Sequence, residues 1–288
     1  KLLREQNMRE ESVTSYLSRL RILRKWKEEE KVNLFYSYQF DRHMVGRFLD
    51  YIFIERNNTM RTRNNYLAWV KCFCKYLHER GYVPTNPADG YSCVRRRDST
   101  KNREIIPDEV MVNIKNWLME NNKYYLLACY ILHYLFVRPR EMSFLKVGDF
   151  SIENKTLHLH GDNTKNHNDA TLTVPDHVMK LMMELRVFDR PSNYYLFSTG
   201  FEPGTKRRSE KTFRDYWHYH IQKKLKLTDR YKFYSLKDTG ITNMLRANTD
   251  IISVRDQARH SSILITDIYT PKDIRAANKL LLNYKGVL

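Results

Sequence analysis

KTLHLHGDNTKNHNDATLTV, residues 155–174, decides what kind of fold this chain can adopt. Leu157 and Leu159 alternate with polar or less apolar neighbours, and Leu172 and Val174 do the same around Thr171 and Thr173. A period of two marks a half-buried strand. The stretch between the two runs holds Gly161 and several Asn and Asp residues, the composition of a hairpin turn. Lys165 sits at its tip. Elsewhere apolar residues recur every three or four positions, the period of a helix. One hairpin in an otherwise helical chain predicts a mainly α fold with a small antiparallel β-sheet.

Upstream, residues 12–90 read as all-helical. Ser12 or Thr14 suits an N-cap for a first helix carrying Leu17, Leu20, Ile22 and Leu23. The stretch DRHMVGRFLDYIFIERN is a second helix, with Val45, Phe48, Leu49 and Ile52 on one face. A third runs from about residue 59 to Gly81, with Leu67, Val70, Phe73 and Leu77 as its core stripe. Gly81 offers a left-handed stop, and Pro84 and Pro87 prevent a restart. Residues 91–105 turn to Arg, Ser, Thr and Asn and read as a linker, so the expected domains are 1–100 and 101–288. The second domain is expected to hold helices at 107–119, 122–135, from Pro139, and at 176–187, 209–224, 237–247, 251–258 and 263–269.

The charge narrows the function. Fifty Lys and Arg stand against 33 Asp and Glu, a formal net charge of +17. The excess is shared: 20 basic and 12 acidic residues lie in residues 1–100, with 30 and 21 beyond. A basic excess spread over two domains favours a polyanion, most often nucleic acid. No apolar run approaches the roughly 20 residues that span a bilayer, and no signal peptide opens the chain. The first residue is Lys1, so a fragment of a longer protein is expected. Cys72, Cys74, Cys93 and Cys129 lack paired metal-ligand spacing and read as reduced core or boundary residues of a cytosolic protein.

Three stretches concentrate groups that phosphate chemistry could use. In FVRPREMSFLKVGDF, Pro139 favours a first helical turn and pushes Arg138 towards an extended backbone, at the mouth of a helix N-terminus. Glu141 follows one turn on; alone, the pair also fits an ordinary surface arginine with a helix-start glutamate. Lys165 could reach into a site and give up a proton, or be a solvated turn lysine. In FYSLKDTGITNML, Tyr234 and Lys237 are helical neighbours. His260 then precedes Ser261 and Ser262, caps of a short helix carrying Tyr269.

The order of these groups resembles the tyrosine recombinase (phage integrase) family. RPREMSFLKVGDF resembles its Arg-x-x-Glu block, RHSSILITDIYT its Gly-His-Ser-Ser…Tyr block, and YLAWVKCFCKYLHERGYVPTNPA its core-binding domain. The resemblance implies an all-helical core-DNA-binding domain followed by a mixed α/β catalytic domain. It implies a mobile-element integrase in which Tyr269 attacks the scissile phosphodiester to form a 3′-phosphotyrosyl link. Arg138 would clamp the non-bridging oxygens, Lys165 protonate the leaving 5′ oxygen, His260 bond the phosphate and Glu141 support the site. No metal, nucleotide or other cofactor is implied. The implied partners are double-stranded DNA, a homotetramer on two sites and a DNA-bending accessory protein, in a cytoplasmic, nucleoid-associated setting.

The pattern breaks at the box where the family has His-x-x-Arg; here Tyr234 and Lys237 occupy it. Lys237 still offers a positive charge, and Tyr234 a hydroxyl. That change keeps open a catalytically impaired DNA-binding relative, and a type IB topoisomerase-like enzyme is a second alternative. For DNA contact the candidates are Arg61, Arg63, Asn64, Lys71 and Lys75 on the third helix, Arg95, Arg96 and Arg97 in the linker, and Lys206, Arg207 and Arg208 in the second domain. Phosphate contacts are the safer expectation for these, with strongly salt-dependent binding. The tail apolar run Leu280, Leu281 and Leu282 suits docking on its own core or on a neighbouring protomer.

Overall fold

The computed structural model describes residues 8, 10–94, 103–164 and 167–270. They fall into two compact units, Lys1–Thr100 and Lys101–Leu288. Arg95, Arg96, Arg97, Lys165 and the tail with Leu280, Leu281 and Leu282 lie outside the described residues.

In the first unit, helices α1 (Glu10–Glu29), α2 (Arg42–Asp50) and α3 (Met60–Glu79) enclose one core. Asp41 starts α2 by accepting a hydrogen bond from the Met44 N–H at 2.8 Å, and Thr59 starts α3 by accepting from Thr62 N–H at 3.2 Å. Val45, Phe48, Leu49 and Ile52 are fully buried, as the periodicity predicts. Trp26 of α1 packs its ring 5.4 Å from that of Phe48. Leu67 and Val70 of α3 are buried too, but Phe73 and Leu77 are only partly so, because Trp69 and Cys74 fill the inward face. Helix α1 begins at Glu10, so Ser12 and Thr14 lie inside it rather than capping it. Helix α3 ends at Glu79, and Gly81 takes the left-handed backbone (φ 72°) that turns the chain away. After α2 the chain continues as a wide π-type turn, Tyr51–Glu55.

The second unit is built round α5 (Lys123–Tyr134), which is apolar on nearly every side and therefore central. Helix α4 (Asp108–Asn121) precedes it. The helix expected from Pro139 is a single turn, α6 (Pro139–Met142). Strands β1 (Phe150–Ser151), β2 (Thr156–Leu159) and β3 (Ala170–Thr173) form an antiparallel sheet in that order. Leu157 faces Leu172 across the predicted hairpin, both buried. Strand β1, two residues long, is too short for alternation to reveal. Helices α7 (Asp176–Glu184), α8 (Glu210–Tyr216), α9 (Ser235–Arg246), α10 (Ile251–Ala258) and α11 (Ile263–Asp267) follow. No described helix is long and apolar enough to cross a membrane. All four cysteines are free, with Cys74 and Cys129 buried.

Two packing details place the site. Helix α9 lies so close to α5 that a Cβ added at Gly240 would fall 1.9 Å from the His133 carbonyl oxygen. At the sheet edge, Gln257 of α10 stands in for a fourth strand. Its Oε1 accepts from Thr173 N–H at 3.1 Å and its Nε2 donates to Thr173 O at 2.8 Å. That pair satisfies an edge the sheet would otherwise leave open and ties the start of the His260 loop to the hairpin.

Candidate active site

Arg138 stands at the N-cap of α6 with an extended backbone (φ −70°, ψ 148°), as the following proline demands. Its own N–H donates to Glu141 Oε2 at 2.9 Å and its Nη1 donates to Glu141 Oε1 at 3.1 Å. Glu141 is only 3 % exposed. A second guanidinium reaches the same carboxylate: Arg259 Nη2 donates to Glu141 Oε2 at 2.6 Å. Burial pushes the Glu141 carboxyl pKa up, but the hydrogen bond and charge of Arg259, with the N–H and charge of Arg138, outweigh it and hold the group below its ordinary value. Glu141 is thus an anion gripping two arginines that are far apart in sequence.

Arg259 ends α10 in the left-handed region (φ 54°, ψ 48°), where glycine is the usual residue. That conformation disfavours a residue with a Cβ by about 1–2 kcal/mol. The sequence reading passed over Arg259; its signal was an arginine at the place where the resembled block has glycine. Its side chain is 13 % exposed, and its Nε is buried with no hydrogen-bond partner among the described residues. Lys237 lies beside it, 2 % exposed. Its Nζ donates to Phe136 O at 2.8 Å and to Ala258 O at 3.5 Å. Burial, then the Arg138 and Arg259 charges, pull the Lys237 ammonium down to a pKa of about 7, with Glu141 and Asp238 opposing.

His260 follows directly. Its Nδ1 is 2.9 Å from the hydroxyl of buried Thr266, and its ring lies nearly parallel to that of Tyr269, centroids 6.2 Å apart. Burial and the charges of Lys237, Arg138 and Arg259 lower its pKa to about 4, so the imidazole is neutral at pH 7. The Tyr269 hydroxyl donates to Asp238 Oδ1 at 3.0 Å. Burial and the Asp238 charge push that phenol well above its ordinary pKa. Lys237 and Asp238 are successive residues of α9, about 100° apart round the helix, so one meets the arginines and the other the phenol. Asp238 Oδ2 also sits 3.4 Å from Arg103 Nε, and the Arg103 guanidinium lies 4.5 Å from the centre of the Tyr234 ring. Tyr234 is raised by burial, with Arg138 and Arg103 pulling down and Asp238 and Glu141 pushing up. It remains a neutral hydroxyl at pH 7.

The structure thus brings together Arg138, Glu141, Tyr234, Lys237, His260 and Tyr269, and adds Arg259, Asp238, Arg103 and Thr266, which sequence reasoning did not single out. In the first unit, Arg61, Asn64, Lys71 and Lys75 fall within an arc of about 80° on α3 at helical spacing, while Arg63 points elsewhere. Asn64 is engaged by backbone: its Nδ2 donates to Val94 O at 2.9 Å and its Oδ1 accepts from Val94 N–H at 3.1 Å. Lys75 pairs with Glu79 at 3.6 Å. In the second unit Lys206 and Arg207 are exposed, Arg207 lying 4.2 Å from the Phe144 ring centre. Arg208 donates through Nε to Ser198 O at 3.0 Å.

A helical unit, then a mainly helical unit with one small sheet and a cluster of cations beside a tyrosine, is the class of architecture the sequence motifs anticipated. Residues 107–275 match the model of the phage integrase family, and the chain belongs to that family of tyrosine recombinases. Its fold is similar to that of a lambda integrase dimer bound to a COC′ core site, with a TM-score of 0.72 at 13 % identity over 96 % of this chain and 94 % of that one. It is also similar to the Tn1549 transposon integrase in complex with transposon right end DNA, with a TM-score of 0.74 at 13 % identity over 94 % and 92 % of the two chains. Among curated proteins compared by sequence, none matches.

Proposed function

We propose that this chain is a site-specific recombinase of a mobile element, cutting and rejoining double-stranded DNA through Tyr269. The observation that carries the reading is one cluster: Arg138 and Arg259 on the Glu141 carboxylate, with His260 beside them and the Tyr269 ring against His260. A phosphodiester placed there meets fixed donors where charge builds up in the transition state. The phenol oxygen attacks phosphorus, the bond to the 5′ oxygen breaks, and a 3′-phosphotyrosyl link forms. Lys165 gives a proton to the departing 5′ oxygen. The phenol leaves Asp238 to make this attack, and its proton passes to solvent water as the new bond forms. In the tautomer whose Nδ1 accepts from the Thr266 hydroxyl, His260 offers an Nε2–H to a phosphate oxygen. Attack by another strand's 5′ hydroxyl reverses the steps and reseals DNA, which needs neither metal nor nucleotide.

The DNA in the lambda and Tn1549 integrase structures supports duplex DNA as the partner. The basic stripe of Arg61, Lys71 and Lys75 and the exposed Lys206 and Arg207 suit phosphate contacts. The working unit proposed is a homotetramer on two sites, with a DNA-bending protein as accessory. A pool of randomised duplexes, each nicked just beyond a possible cleavage point, tests the reading. The expected result is a detergent-resistant protein–DNA adduct that disappears in Tyr269→Phe, and sequencing the trapped DNA gives the site. DNA binding with no adduct would leave a non-catalytic relative. Adducts without site preference, together with plasmid relaxation, would indicate a topoisomerase.

A further inference from the structure

We propose that Arg259, not Lys237, is the second cation that grips the scissile phosphate, and that Lys237 is a positioning residue for both arginines; this rests on the recombinase reading above. Lys237 is buried, and its ammonium is already committed to two backbone carbonyls. Those carbonyls are not arbitrary. Phe136 lies two residues before Arg138, and Ala258 lies one residue before Arg259. Phe136 and Arg259 are also both left-handed, with φ of 57° and 54°. The ammonium therefore staples together the two strained backbone turns from which the guanidiniums project.

Arg259 has what Lys237 lacks. It carries five N–H donors in a planar fork, and one nitrogen is bonded to Glu141. Its Nε is buried with no acceptor among the described residues. A buried donor without an acceptor calls for explanation, and an anion binding at this cluster would supply the missing acceptor after a small shift of the side chain. Glu141 holds Arg138 and Arg259 on one carboxylate, which fixes the two forks side by side. An arginine in a backbone conformation that suits glycine better is consistent with selection for its guanidinium.

The test uses the full chain and the nicked duplex recovered with wild type, made with a phosphodiester or with a methylphosphonate at the scissile position. The methylphosphonate lacks the charge that a second guanidinium would neutralise. Arg259→Gly suits the left-handed position, so its Tm should equal or exceed that of wild type. We expect single-turnover adduct formation by R259G to be about 100-fold slower than wild type on the phosphodiester. On the methylphosphonate the ratio should shrink to about threefold or less. Arg259→Lys should fall between. Lys237→Met, which acts through the arginines, should slow the phosphodiester less than Arg259→Gly does, and part of its effect should likewise be lost on the methylphosphonate. R259G cleaving the phosphodiester within about threefold of wild type, or being slowed equally on both substrates, overturns the inference. Absence of any Tyr269 adduct with wild type sinks the recombinase reading itself, and this inference with it, and is distinct from either of those results.

Discussion

Lys237→Met should flatten the pH dependence of stability between pH 6 and 9. In the folded chain the Lys237 ammonium has a pKa of about 7, against an ordinary 10.5. Burial is the main cause, followed by Arg138 and Arg259, while Glu141 and Asp238 pull the other way. A folded pKa below the unfolded one means that the unfolded chain holds the extra proton between about pH 7 and 10.5. Stability therefore rises with pH through that window and is lost as pH falls through 7. One proton of difference is worth about 1.4 kcal/mol per pH unit, so wild type should gain roughly 2.5 kcal/mol relative to the methionine variant between pH 6 and 9. Of the other groups facing Lys237, Glu141 and His260 change charge below the window. Methionine fills similar space without a charge, although Phe136 O and Ala258 O lose a donor. That loss shifts the whole curve and leaves its slope alone. The assay is denaturant unfolding of both proteins at each pH, read as the difference in ΔG. A difference constant to within about 0.5 kcal/mol would refute the reasoning, because the ammonium would then be fully charged in the cluster throughout.

Two further substitutions probe the packing and the phenol. Gly240→Ala would place a methyl group 1.9 Å from His133 O and 3.0 Å from the Phe136 ring, forcing α9 away from α5. A loss of about 3 kcal/mol is expected in chemical denaturation, and a wild-type midpoint would show that the helices can separate freely. Asp238→Asn removes the charge that adds to burial in raising the Tyr269 phenol. Its pKa should drop towards the ordinary tyrosine value in a titration of ring-carbon NMR shifts, whereas an unchanged value would show that Asp238 plays no part in raising it.

What was legible in the sequence follows from what is local. Alternation over residues 155–174 and the three-to-four spacing of Val45, Phe48, Leu49 and Ile52 depend on neighbours along the chain, and both match the structure. Pro139 foretold the extended backbone of Arg138 by simple steric exclusion. The roles of Lys237 and Arg259 were harder to read because they depend on burial and on partners remote in sequence. A lysine in a polar motif reads as an exposed cation, and only the packing of α9 against Phe136 and Ala258 shows it buried on two carbonyls. Arg259 looks like the frayed end of a helix until Glu141, 118 residues away, is seen to accept its hydrogen bond. Asp238 was hidden likewise, since its link to Tyr269 spans 31 residues.

The energetics of the cluster fit the proposal that it binds an anion. Removing three charges from water to make an Arg138–Glu141–Arg259 bridge costs several kcal/mol per ion before attraction repays it. One carboxylate cannot balance two guanidiniums, and Lys237 adds a third positive charge whenever it is protonated. The left-handed turns at Phe136 and Arg259 each add about 1–2 kcal/mol of strain. A fold selected for stability alone would replace these groups with the leucines and valines that fill the rest of this unit's core. The opposing terms meet at one place, beside a neutral imidazole and a tyrosine whose hydroxyl is held by Asp238. A bound phosphodiester would supply the missing negative charge, give the buried Arg259 Nε an acceptor and favour the protonated form of Lys237. On the proposed reading, the destabilisation stored in the free chain is the counterpart of the affinity it would gain for that charge.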